Sequence, residues 1–203
     1  MLQPDNRFFQ FMSRLWDLVL LNLIFILSCV PIFTIGASIS AMHTMIDKMS
    51  KGHESYIIRG YIQYWKDNFK NSTIILIFYL IIEVPLLIGG VYLSKYGTSY
   101  GILYIPYIFV IMIFLFSFLY SFALQAIFIN TPGAILKNSL LTALRHLPHT
   151  LALGAITFLP PCISFLLPEL LPVTFTYWLL IGFSLSAWIC GFIYRIIFAH
   201  YKE

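Results

Sequence analysis

Between Leu18 and Ser40 the chain carries no charged residue. A hydrocarbon core of about 30 Å takes roughly 20 helical residues to cross, so this run predicts a first span over 15–35. Pro31 falls in its last turn, lacks a backbone donor and frees the carbonyl four residues back, so a bend is expected there. Gly36 then releases the chain. Ahead of the span, Phe8, Phe9, Phe11 and Met12 interleave with Arg7, Gln10 and Arg14, the spacing of a short interfacial helix over 1–14.

Apolar residues next recur at helical spacing as Ile39, Met42, Met45, Ile46 and Met49, with His43, Asp47 and Lys48 elsewhere. This predicts an amphipathic helix over 37–49 rather than a full span. A second amphipathic helix is expected over 54–70, with Ile57, Ile58, Tyr61, Ile62, Trp65 and Phe69 on one face. Arg59, Gln63, Lys66, Asp67 and Lys70 occupy the other, and Trp and Tyr beside Lys mark the headgroup level. Further spans follow over 72–93, with Glu83 at the centre and Pro85 after it, and over 102–129, long enough to tilt or project. After the turn signal Asn130-Thr131-Pro132-Gly133 a third amphipathic helix is expected over 134–149, with Leu136, Leu140, Ala143 and Leu144 on one face. The last two spans are 150–167, split at Pro160-Pro161, and 173–198. Arg59–Phe69 laid on Lys137–Leu147 agree in pattern but hardly in identity, which fits a duplicated unit and coincidence equally well.

Composition narrows the class. The 203-residue chain is 60% hydrophobic and 10% charged, against about 25% charged in soluble domains. The expectation is an all-α polytopic membrane protein forming one domain over 1–203, with no separate soluble unit. The net charge of +4, from 12 Lys and Arg against 8 Asp and Glu, reads as inner-side loop bias and not as a nucleic-acid footprint. With five alternating spans, positive-inside puts the basic segments 36–71, 130–149 and the C-terminal end in the cytoplasm and the N-terminus outside a cell membrane. The rival arrangement has six segments, Pro31–Gly36 as a re-entrant turn and the N-terminus inside. The apolar run exceeds the usual 7–15 residues of a signal peptide, so an uncleaved first span is expected.

Candidate chemistry is sparse. Cys29, Cys162 and Cys190 stand singly in apolar runs, as packing residues do. Glu83 is the one acidic residue deep in a span, where a charged carboxylate costs about 2.5–3.5 kcal/mol. It is expected to face other helices, hydrogen-bonded near the carbonyls of Ile156 and Thr157 that Pro160 and Pro161 free. Ser117 and Ser184 at similar depth complete a candidate intramembrane polar site. His43, His53, His146, His149 and His200 fall on one predicted side and read as interfacial. His146 and His149 have metal-pair spacing but no acidic or Cys ligand nearby. No serine-hydrolase, zinc-protease or phosphate-loop motif occurs, so neither enzymatic activity nor a cofactor or metal is expected. Arg59, Trp65, Lys66, Lys70 and Arg145 form the candidate interfacial or docking set, suited also to anionic lipid headgroups.

Pro31-Ile-Phe-Thr-Ile-Gly-Ala-Ser38 with Ala41, followed by Tyr61-x3-Trp65-x3-Phe69, resembles the YesL-like family of small bacterial membrane proteins. Gly182-Phe-Ser-Leu-Ser-Ala187 is similar to that family's C-terminal part. The resemblance implies no established activity and no catalytic residue to carry over. It does imply an association with carbohydrate use, because such proteins are often encoded beside carbohydrate importers and polysaccharide-degrading enzymes. The expected function is therefore a non-catalytic accessory to carbohydrate uptake, partnering a membrane transporter subunit. The alternative is a small proton-coupled transporter using Glu83.

Overall fold

In the computed structural model, residues 7–52, 56–96, 101–199 and 201 are described, and all their regular structure is helical. Helix α1 runs Arg7–Ser28 and stops three residues before Pro31, which opens a 3-10 turn over Ile32–Thr34. The first span thus begins and ends earlier than the expected 15–35, and among the described residues it runs unbroken from Arg7 through Arg14, with no separate interfacial piece. The Ser28 carbonyl, left without a helical partner, accepts hydrogen bonds from the hydroxyls of Thr34 at 2.5 Å and Ser38 at 3.1 Å. These bonds fold α2 (Ile35–Ser50) back from the end of α1.

Here the structure corrects the sequence reading. α2 is not an interfacial helix: Gly36, Ala37, Ser38, Ser40, Ala41, Met42, Thr44, Met45 and Ile46 are all buried. Small side chains let neighbouring helices close on it, as in membrane bundles generally. A Cβ on Gly36 would stand 2.6 Å from the Ser72 carbonyl oxygen, so only glycine permits that approach. Gly36 is therefore a packing residue inside α2 and not a chain release.

α3 spans Ile57–Tyr96 as one helix of 40 residues, about 60 Å at 1.5 Å per residue. The expected break near residue 71 is absent, because Asn71 and Ser72 lower apolarity without breaking a helix. A segment continuous with a span cannot lie flat at the headgroups. Part of its face finds protein instead: Tyr61 is buried and bonds to Ser28 at 2.6 Å, and Trp65 Nε1 donates to Ser38 Oγ at 3.3 Å, while Ile58 and Ile62 stay exposed. Glu54 and residues 97–100, between the second and third spans, lie outside the described residues.

α4 is Gly101–Ile127 and α5 Pro132–Arg145, with Thr131 as N-cap accepting from the Ala134 N–H and Pro132 in the first turn. That start is what the turn signal and cap chemistry favour. α5 ends at His146, and α6 begins at once as Leu147–Leu166, keeping Pro160 and Pro161 inside it. The two segments whose patterns agree, Arg59–Phe69 and Lys137–Leu147, thus differ: one is continuous with its span and the other is broken from it. α7 (Leu171–Tyr177) passes through a π-helical turn, Trp178–Gly182, into α8 (Phe183–Ala199).

Successive segments reverse direction. Tyr79 pairs with Ser117 and Asn68 with Gln125 between α3 and α4. Tyr120 meets Thr150 between α4 and α6, and Thr157 meets Cys190 while Ser164 meets Trp178 between α6 and α8. With the α1–α2 and α2–α3 hairpins added, the start of α1 and the end of α8 fall at one end of the bundle. Among the described residues, five segments are long and apolar enough to cross a membrane: 10–28, 57–95, 104–127, 147–166 and 171–199. The buried α2 supplies the extra reversal, as in the six-segment arrangement. Of the eleven Lys and Arg among the described residues, ten then lie toward the end shared by the α1 start and α8 end, and Lys95 toward the other.

Candidate functional site

A helical backbone that widens to a π turn misaligns its carbonyls, and such turns recur at functional sites. At Trp178–Gly182 the freed groups are met by Asn22, which is fully buried. Its Nδ2 donates to the carbonyls of Trp178 at 3.0 Å and Leu179 at 2.8 Å, and its Oδ1 accepts the Ser184 N–H at 3.0 Å. Ser184 Oγ in turn donates to the Leu18 carbonyl at 2.8 Å. The first and last segments are thereby stitched together at one point.

Beside this junction lies a cavity of about 520 Å³, walled by α1, α2, α4, α6 and α8. Phe25, Phe118, Phe122, Trp178, Phe183 and Pro161 give it an aromatic and apolar lining. Its hydrogen-bonding groups are few: His43, Thr157, Ser186 and the hydroxyl of Tyr194, with the thiols of Cys29 and Cys190. The Tyr194 hydroxyl is already committed to the Leu119 carbonyl at 2.8 Å, and its ring stacks on Phe198. Against that fixed ring the His43 imidazole packs edge-on, centroids 5.4 Å apart and planes at 88°. Among the described residues His43 makes no hydrogen bond. His43 and Tyr194 also line a second, much smaller pocket that holds Asp47 and Arg195. The pair is thus the partition between the apolar cavity and the basic end of the bundle. His43 is half-buried between α2 and α8, against the expectation that all five histidines are interfacial. His146 and His149 lie together at the start of α6, His146 also meeting the Tyr201 hydroxyl, and His53 and His200 lie outside the described residues. Among the described residues no three His, Cys, Asp or Glu side chains come together as metal ligands.

The expected polar site is not assembled. Ser117 joins Tyr79 at 2.7 Å and Ser139 at 3.0 Å in a buried hydroxyl cluster linking α3, α4 and α5. Ser184 belongs to the Asn22 junction. Glu83 stands alone one turn beyond Tyr79, with Oε1 buried and without a hydrogen-bond partner. The expected partners on α6 are elsewhere, because α6 packs against α4, α5 and α8. Of the docking set, Arg59, Lys66, Lys70 and Arg145 are exposed, and Trp65 belongs to the α2–α3 packing instead. Among the described residues Lys51 with Asp47 is the one ion pair, so Arg59, Lys66 and Lys70 are uncommitted there.

Asn22, His43 and Tyr79 carry the buried polar chemistry, and sequence reasoning gave none of them a site role. Asn22 had a signal, being the one side-chain amide in the uncharged run from Leu18 to Ser40.

These features define an all-α polytopic membrane protein with an apolar cavity between its helices. Residues 18–89, from α1 through α2 into α3, match the model of the family DUF624, described as a protein of unknown function. No curated protein and no solved structure matches the chain.

Proposed function

We propose that the protein is a non-catalytic cell-membrane component that associates with a carbohydrate transporter through its basic end, with that end in the cytoplasm. The observation carrying this reading is the charge distribution: ten of the eleven described Lys and Arg lie toward one end of the bundle. That is the asymmetry by which cytoplasmic loops are recognised. Arg59, Lys66 and Lys70 project there from a helix about twice as long as a bilayer core requires. The carbohydrate assignment rests on the resemblance to the YesL-like family.

Two measurements test it. An impermeant thiol reagent applied to intact cells is expected to label Lys95→Cys and spare Lys51→Cys; the reverse pattern refutes the orientation. Purification from native membranes is expected to recover a stoichiometric importer subunit, lost on joint substitution of Arg59, Lys66 and Lys70 by Glu. Recovery of the protein by itself refutes the association.

A second reading, a proton-coupled carrier, is favoured by the unpartnered Glu83 oxygen. Glu83→Gln separates the two: it abolishes a carrier's function in a folded protein and leaves an accessory protein unaffected.

A further inference from the structure

The central cavity extends from Trp178 to Tyr194, sixteen positions along one segment, or about 24 Å at a helical rise. A volume of about 520 Å³ over that length makes a narrow cleft rather than a round pocket. It is within the range of about 300–1,000 Å³ that small-molecule sites occupy. One end holds the His43 and Tyr194 partition. The other reaches Val30, which lines the cavity and is also largely exposed, so it marks a mouth on the apolar outer surface.

The lining says what fits. No Lys, Arg, Asp or Glu contributes to the wall, so a charged group would enter without a counter-charge. A sugar carries many hydroxyls, and the few uncommitted groups would leave most of them unpaired at a cost per group. Apolar cavities exclude water and take up apolar molecules. The edge-packed imidazole of His43 is the one ring group at the closed end free to bond a ligand.

We propose that this chamber binds a neutral single-chain amphiphile of the aliphatic alcohol class, entering from the bilayer at Val30. Its hydroxyl meets His43, and its chain lies against Phe25, Phe118, Phe122 and Trp178. The partition then keeps the ligand from the basic end, where Asp47 and Arg195 lie beyond the ring pair.

The test uses the full chain in phosphatidylcholine nanodiscs with a diazirine-bearing hexadecanol as photoprobe and mass spectrometry of the labelled peptides. Saturable labelling at Phe118–Phe122 and Trp178 is expected, competed by unlabelled hexadecanol. Ser186→Trp, which fills the cleft, is expected to remove it while labelling of the exposed Ile81 and Ile88 continues as an internal control. Cys29→Trp fills the chamber from another wall and serves if the first variant fails to fold. His43→Leu is expected to weaken competition by hexadecanol about tenfold, the order of one hydrogen bond, and to leave competition by hexadecane unchanged. Labelling confined to Ile81 and Ile88, or unaffected by both fillings, overturns the site. Competition by maltose equal to that by hexadecanol, or equal loss of alcohol and alkane in His43→Leu, overturns the ligand class.

Discussion

Asn22 and Glu83 are both polar side chains set deep in apolar spans, and the fold treats them oppositely. Asn22 is fully buried and uses both ends of its amide, bonding two carbonyls and one N–H of a segment over 150 positions away. Glu83 is half-buried and leaves an oxygen unpaired. The amide matches its surroundings because the π turn and the residues after it present two carbonyls and an N–H side by side, and one amide can donate twice from Nδ2 while accepting at Oδ1. A carboxylate offers acceptors only and needs a donor, which Tyr79, Ser117 and Ser139 spend on one another. A polar residue in a span is therefore not one kind of signal: Asn22 holds helices together, and Glu83 ties no helix to another through its buried oxygen.

The comparison breaks most readily at Asn22. Asn22→Leu strands three backbone groups, each costing about 1–3 kcal/mol when unsatisfied, so a net loss of about 3–5 kcal/mol is expected. Thermal unfolding in detergent measures it, and a loss near zero would mean the π turn satisfies itself. At the intermediate level stands Tyr79→Phe. It removes one hydroxyl but leaves Ser117 and Ser139 bonded to each other, so a loss of about 1 kcal/mol is expected in the same assay. The smallest effect belongs to Glu83→Leu. With no hydrogen bond to lose at its buried oxygen, the variant is expected to match or slightly exceed the parent in stability. A loss comparable to that of Asn22→Leu would reveal a partner for the carboxyl and erase the contrast. A fourth pair sharpens the same point on α3. Trp65→Asp breaks the contact to Ser38 and lowers the folded yield, whereas Gln63→Asp on the exposed face leaves it unchanged, as read by size-exclusion recovery.

Much of the architecture was legible along the chain. Uncharged apolar runs marked the spans, Asn130–Gly133 marked the start of α5, and Pro31 marked a bend, which the structure makes a reversal after α1. Two errors came from reading polarity as position. The segment 37–49 carries His43, Asp47 and Lys48 and so resembles a surface helix, yet its Gly, Ala, Ser and Thr residues put it at the centre. Small side chains score as weakly polar in any periodicity, although their effect is to let backbones meet. The segment before residue 72 looked separate because its charge content changes there, but nothing in Lys70-Asn71-Ser72 stops a helix.

Local sequence by itself determined that these residues form helices, where most of them begin and end, and that most must face lipid. Those outcomes follow from propensity, proline and glycine chemistry and the apolar solvent, all of which act within a few residues. Which polar groups meet was decided only by tertiary structure. Asn22 finds the π turn, Tyr79 finds Ser117 and Ser139, and His43 finds Tyr194 because packing shape brings distant segments together. A hydrogen bond depends on position to within a few tenths of an ångström, and no spacing along one chain segment encodes that across another.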